Sequence, residues 1–391
     1  MLKQIKKLGI PLVALFFIYL LNPMGLNILV GYALLPLVLL KRNFLVGNSD
    51  TGLLLLLLFS LTYAAFFSFD PIAGKQYIIV YALFPGLFYL LGKYFAEKLK
   101  DNHIHLLLFL LISSLIFSFS AVLSVFTDIL ENGYNIVDRN LPNYWTGNII
   151  PATIMGSYFT LIMALPALLV PHIKKINIIH RVGLLFYYVV AMACILRIGS
   201  RTQISISLIT LLFSLIYVIP RQSLRRNLFM FLLFFLGTFY LLNTVSFDLN
   251  QDWLSAFANR MEDGKDVASG GGRTGRWVKS MEYLFEKPLG WSEHEFGHSH
   301  NLWFDVLRVG GFLSFFFLLF FTTNAYSTVF RAIKKNKKLY AFNNQMIVYT
   351  MAFSLVFMVE PILEGMFDFF AFFCFFIGAV KKYNTDYPVI E

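Results

Sequence analysis

The sequence predicts an all-α integral membrane protein. It is read as a single polytopic domain over residues 1 to 391 with about twelve transmembrane helices, both termini cytoplasmic, and one large extracytoplasmic loop carrying a short amphipathic helix. Three observations carry that prediction. Hydrophobic residues make up 58% of the chain and the mean hydropathy is +0.68, so there is far more apolar surface than one water-soluble core can bury. The apolar residues fall in repeated runs long enough for a hydrocarbon layer about 30 Å thick. The lysines and arginines cluster at the ends of those runs, where they set topology.

Leu and Phe fill the runs throughout, without the roughly ten-residue alternation of an outer-membrane barrel, so the spans are expected to be helices. They lie at 8 to 23, 26 to 40, 51 to 67, 76 to 92, 104 to 126, 151 to 171, 182 to 198, 203 to 219, 227 to 245, 309 to 328, 345 to 362 and 366 to 380. The first follows a basic start that imitates a signal peptide. It has no A-x-A-like cleavage site and a second run follows at once, so a retained first helix is expected.

Alternate loops and the two ends carry Lys3, Lys6 and Lys7; Lys41 and Arg42; Lys93, Lys98 and Lys100; Lys174, Lys175 and Arg181; Arg221, Arg225 and Arg226; Arg331, Lys334, Lys335, Lys337 and Lys338; and Lys381 and Lys382, which is most of the 32 basic residues. The positive-inside rule places that side in the cytoplasm. The net charge of +10 is therefore a topology signal, and no nucleic-acid partner is expected. Cys194 and Cys374 sit inside apolar runs and suit neither a disulfide nor a metal.

The opposite, extracytoplasmic side receives the polar segment 246 to 300, along with 127 to 150 and the short turns near Asp70, Arg197 and Glu360. ATP and nucleotide sugars are absent there. A transfer reaction on that side must use a donor already carried across the membrane.

Arg197 and Arg201, in CILRIGSRTQIS, stand at the outer mouth of two spans. An arginine at a helix end can snorkel to the headgroups. The charge bias does not put arginines on this face, however, and an ionisable group at membrane depth is a functional candidate. Arg201 is the stronger candidate anion ligand and Arg197 the weaker. GGGRTGRW, Gly270 to Trp277, lacks the spacing of a nucleotide P-loop. Its glycines allow backbone amides close to an anion, and Arg273 and Arg276 bring planar forks suited to phosphate oxygens; the competing reading is a hinge with solvated arginines. Trp277, Met281, Tyr283, Leu284 and Phe285 then recur at helical spacing until Pro288, which predicts an amphipathic helix at the membrane surface.

HEFGH, His294 to His298, is a literal H-E-x-x-H, the zinc-peptidase pattern. That chemistry needs a helix to bring both histidines to one face, and Pro288, Gly290 and Gly297 argue for a loop. His300 opens the next apolar run, HNLWFDVLRVGGFLSFFFLLF. A helix N-terminus disfavours the imidazolium, and a neutral imidazole is what a general base requires, although the same position suits a plain helix cap. Glu360, Glu364 and Asp368 lie at the outer mouth of the last two spans, to pair with arginines, orient an acceptor, or stand solvated. Asp138, Arg139, Tyr144 and Trp145 make the 127 to 150 segment equally suited to a sugar face and to the membrane interface.

An ordered set of these motifs resembles the O-antigen ligase and polymerase superfamily: S-R-T at Ser200 to Thr202, G-R-x-x-x-W at Gly272 to Trp277, E-K-P-L-G at Glu286 to Gly290, and H-N-L-W-F-D-V-L-R-V-G-G at His300 to Gly311. The resemblance implies a bacterial inner-membrane glycosyltransferase that draws on an undecaprenyl-diphosphate-linked glycan outside the cytoplasm. It implies Arg201 and Arg273 as diphosphate ligands and His300 as the catalytic base; beside these the residues themselves offer Arg276 and Arg197 as weaker ligands and Glu360 and Glu364 as acceptor or structural support. It implies no cofactor, no metal, and inversion at the anomeric carbon. The acceptor is another lipid-linked repeat unit for a polymerase, the favoured reading, or lipid A-core for a ligase. A zinc peptidase using His294, Glu295 and His298, and a polysaccharide transporter, are the rival classes.

Overall fold

The computed structural model describes residues 7–100, 102–134, 139–172, 177–244, 251–256 and 272–386. Lys3, Lys6, Asp138, Lys174, Lys175, Gly270 and Gly271, together with most of the polar segment before Gly272, lie outside them. About 81% of the chain is helical, as an all-α membrane protein requires. The helices are α1 (Ile10–Leu21), α2 (Asn27–Leu39), α3 (Arg42–Asn48), α4 (Thr51–Phe67), α5 (Gln76–Lys98), α6 (His103–Asn132), α7 (Ala152–Ser157), α8 (Thr160–Met163), α9 (Leu165–His172), α10 (Ile178–Ile198), α11 (Arg201–Val218), α12 (Leu224–Thr244), α13 (Arg273–Glu286), α14 (Leu302–Lys335), α15 (Tyr340–Phe357), α16 (Ile362–Gly365) and α17 (Phe367–Asp386). A two-residue antiparallel pair, β1 (Leu141–Pro142) and β2 (Ile149–Ile150), joins Leu141 to Ile150.

Among the described residues, α5, α6, α10, α11 and α14 are long and apolar enough to cross a membrane, and α2 with α3, bent by 88°, makes a sixth if the pair is one broken span. Two helices expected as spans, α1 and α4, are apolar but only 12 and 17 residues long. The run expected as one span at 151 to 171 is divided among α7, α8 and α9. Pro166 accounts for the second of these breaks, because it has no N–H to continue the ladder and its ring crowds the preceding turn.

The chain falls into two compact units, Met1–Phe117 with Asp266–Leu339 and Ser354–Glu391, and Ser118–Lys265 with Tyr340–Phe353. At the centre of the first lies α17, whose FDFFAFFCFFIGAV is buried on every face, as a helix apolar all round must be. Gly92 of α5 and Gly378 of α17 let the two backbones touch: a Cβ on Gly92 would stand 2.0 Å from the Phe375 carbonyl, and one on Gly378 1.9 Å from that of Tyr89. Phe16 stacks on Phe375 at 4.4 Å and on Phe109 at 5.9 Å beside this crossing.

In the second unit α8 and α9 pack on α11. Pro171, inside α9, leaves the Ala167 carbonyl without its helical donor, and Ser214 Oγ and Asn344 Nδ2 donate to it at 2.6 and 2.8 Å. Gly199 ends α10 in the left-handed conformation, φ 60°, which turns the chain directly into α11 at Arg201.

Candidate functional site

Within the first unit the sequence brings α13, the loop from Lys287 to Asn301, the start of α14 and the turn from Glu360 to Glu364 to one place. The loop is anchored first by main-chain bonds. The Trp291 amide donates to the Arg308 carbonyl at 2.9 Å and the Phe312 amide to the Pro288 carbonyl at 2.7 Å. In an unbroken helix the Arg308 carbonyl and the Phe312 amide would pair with each other. The break falls at Gly311, with φ 63° and ψ −173°. Gly290 makes the approach possible, since at φ 96° a Cβ there would stand 2.3 Å from the Arg308 carbonyl. The E-K-P-L-G and R-V-G-G motifs are thus two halves of one contact. Beside it Leu284, Trp291 and Leu307 form a small core with Tyr283, Phe296, Phe304 and Phe315.

The predicted amphipathic helix is α13, which begins at Arg273 after Gly272 in the left-handed region at φ 83°. It clamps the loop from one side. Arg276 Nη1 donates to the His298 carbonyl at 2.9 Å, Trp277 Nε1 to the Ser299 carbonyl at 2.9 Å, and the Ser280 and Ser299 hydroxyls meet at 2.7 Å. From the other side the Asp305 carboxylate accepts from the amides of Ser299 at 2.7 Å and Asn301 at 3.1 Å. Asn301 is the N-cap of α14, its side chain accepting from the amides of Trp303 and Phe304.

His300 therefore stands one residue outside the cap, gripped through both neighbours. Its φ is 52°, in the left-handed region that few non-glycine residues occupy. Its Nδ1 is buried without a hydrogen-bond partner among the described residues. Burial, followed by the charges of Arg273 and Arg276 and then by His298, pushes the imidazole down to about 4. Burial and the two arginines thus favour the neutral imidazole.

Arg273 and Arg276 are both half-buried, and Arg273 Nη2 lies 3.3 Å from Glu360 Oε1. Glu364 is held by Arg308, a residue of the fourth motif that carried no assigned role. His298 joins the same cluster, with Nε2 3.2 Å from Glu293 Oε1, and Nδ1 3.4 Å from Glu364 Oε2 and 3.3 Å from Arg308 Nη2. Asp368 is placed apart, accepting two bonds from Asn27 at 2.8 and 2.9 Å.

Glu293, His298 and Glu364 bring ligand atoms within 4.8 Å of one another. The arrangement suits hydrogen bonding better than a metal. The two carboxylates address opposite ring nitrogens of His298, whereas one ion takes one of them, and the Arg308 cation already holds Glu364. The literal zinc motif is not on an α-helix: His294 and Glu295 belong to a single 3₁₀ turn, Gly297 follows at φ 76°, and Glu295 is paired with Lys287.

Arg197 and Arg201 belong to the second unit. Arg197 is buried in the last turn of α10 with Asp128 Oδ2 2.8 Å away, so it already has a carboxylate. Arg201, at the first residue of α11, is half-buried and has no ion pair among the described residues. Arg139 donates to the carbonyls of Ile198 and Gly199 and shapes the turn between them.

Sequence reasoning assigned no role to Asp305 and Arg308. The available signal was their spacing, two ionisable residues one turn apart on an otherwise apolar helix. No protein-family model matches the chain, and no curated protein matches it.

Proposed function

We propose that this chain is a membrane glycosyltransferase that moves a glycan from undecaprenyl diphosphate to a sugar hydroxyl on the outer face of the bacterial cytoplasmic membrane, with a second lipid-linked repeat unit as the acceptor. The observation that carries the reading is His300: a neutral imidazole with a partnerless buried nitrogen, held in a costly backbone conformation within the field of Arg273 and Arg276.

The acceptor hydroxyl gives its proton to His300 as its oxygen bonds to the anomeric carbon. The bond from that carbon to the diphosphate breaks on the opposite face, and the lipid diphosphate leaves with the electron pair. Arg273 and Arg276 stabilise the charge that gathers on the departing oxygens, which is where fixed donors are worth most. The donor's negative charge also offsets the two arginines, so His300 becomes a stronger base once the donor is bound.

Transfer from a synthetic undecaprenyl-diphosphate repeat unit by purified protein, with EDTA present, tests the reading. Chains longer than one repeat are expected, with inverted linkage. His300→Asn is the suited variant, because asparagine accepts the left-handed backbone but supplies no base. Undiminished transfer by that variant would exclude the mechanism, and chains appearing only when lipid A-core is supplied would assign the ligase reaction instead.

A further inference from the structure

The opposite end of the first unit carries a second concentration of charge that the proposed transfer does not use. An open cavity of about 320 Å³ is lined by Lys7, Glu97, Lys98 and Lys100. Lys382 Nζ reaches Glu97 Oε2 at 3.0 Å, and Asn48 Nδ2 donates to the same oxygen at 3.5 Å. Tyr94 forms a platform beside them, with Lys41 Nζ 4.8 Å and Lys98 Nζ 5.5 Å from its ring centre and Lys41 Nζ 3.5 Å from its hydroxyl. Lys7, Lys98 and Lys100 thus share the cavity wall with Glu97, Lys382 pairs with that carboxylate, and Lys41 lies against Tyr94. Asp101 lies outside the described residues.

Each lysine stands where an apolar helix meets its polar flank. Lys7 precedes α1, Lys41 lies between α2 and α3, Lys98 is the last residue of α5, and Lys382 is in the last turns of α17. Lys335, the last residue of α14, donates to the Asn384 carbonyl at 2.7 Å and ties that helix to the same end. His300 lies just before α14 begins and Lys335 is its last residue, so the candidate site and this lysine-rich end lie at opposite ends of α14.

A helix C-terminus attracts a lysine, which accounts for Lys98 alone. It does not account for Lys7 and Lys100 lining the same concave surface, whose carboxylate is already engaged by Lys382. Several ammonium groups on one concave surface offer donors from different directions to an anion with several oxygens. We infer that this cavity is a binding site for the phosphate-bearing headgroup of an anionic phospholipid. The depth of the lysines at helix ends favours a lipid over a free phosphate, because it places them at headgroup level. The inference is independent of the glycosyl-transfer reading.

The experiment titrates acyl-labelled phosphatidylglycerol, and phosphatidylcholine with the same label, into the purified full chain in a zwitterionic detergent. Phosphatidylglycerol is expected to bind measurably more tightly. The Lys98→Gln, Lys100→Gln double variant is expected to bind it roughly 30-fold more weakly. Glu97→Gln removes the competing carboxylate and is expected to tighten binding several-fold, a gain that misfolding cannot imitate. Equal binding of the two lipids, or phosphatidylglycerol affinity that neither variant changes, overturns the proposal. Displacement of the lipid by inorganic phosphate beyond what chloride of equal ionic strength achieves also overturns it, by assigning the cavity to a free anion.

Discussion

Arg273 stands 3.3 Å from Glu360, so the guanidinium proposed to receive a diphosphate already has a carboxylate beside it. Under the proposed transfer, a donor entering this site would have to displace Glu360 from Arg273. Glu360→Gln removes the competing charge while keeping the shape. It is expected to lower the donor KM by roughly three- to tenfold, the strength of a partly exposed ion pair, with kcat little changed. Steady-state kinetics with varied donor check this; a raised KM would mean that Glu360 orients Arg273 rather than competing for it.

The proton economy of His300 predicts an asymmetry between two pH profiles. The base works only when neutral, so activity falls as pH drops through its pKa. In the free protein that pKa is pushed down to about 4 by burial and by Arg273 and Arg276. In the proposed donor complex the diphosphate would offset the arginines and raise the pKa. The acid limb of kcat/KM is therefore expected at lower pH than the acid limb of kcat. Coincident limbs would remove the arginines from any role in tuning His300.

Asp305 acts on His300 without touching it, by holding the amides on either side. Asp305→Ala frees the Ser299–Asn301 segment. It is expected to reduce kcat on the order of 10²-fold through misplacement of the imidazole, with a much smaller change in donor KM. The loss of two buried hydrogen bonds to a charged group is also expected to lower stability by about 3 kcal/mol. A parallel loss of kcat and donor binding would indicate collapse of the whole loop instead.

Gly290→Ala tests the joint between loop and helix. The substitution sets a Cβ 2.3 Å from the Arg308 carbonyl at a backbone angle, φ 96°, that alanine resists. A cost of about 1–3 kcal/mol is expected, visible as a lower Tm in detergent and faster proteolysis between Lys287 and Asn301. Unchanged proteolysis would show that the main-chain bonds of Trp291 and Phe312 hold the loop unaided.

What was legible in the sequence follows the physics of each signal. Apolar runs and basic flanks are local, so the helical membrane class and the existence of α13 could be read directly. Span boundaries were less legible, because hydropathy cannot tell a continuous helix from one that Pro166 divides or from a pair bent at Lys41. At the candidate site the titratable residues were visible as polar exceptions, and Arg273, Arg276, His300, Glu360 and Glu364 gather in one unit. Their pairings were not visible. That Glu364 belongs to Arg308, and that Asp305 grips the amides flanking His300, depends on contacts four to 56 residues apart in the chain. The alternation of Gly92 and Gly378 with bulky neighbours looks unremarkable until two backbones are seen to cross there.

The break at Gly311 gives the loop from Lys287 to Asn301 an unusual kind of fastening. The Phe312 amide and the Arg308 carbonyl hold Pro288 and Trp291 in place of each other, so the loop is spliced into the main chain of α14. Letting the loop go and straightening the helix are consequently a single event, in which two bonds to the loop are exchanged for one within the helix. At this point the loop and α14 meet main chain to main chain, with no side chain in either bond.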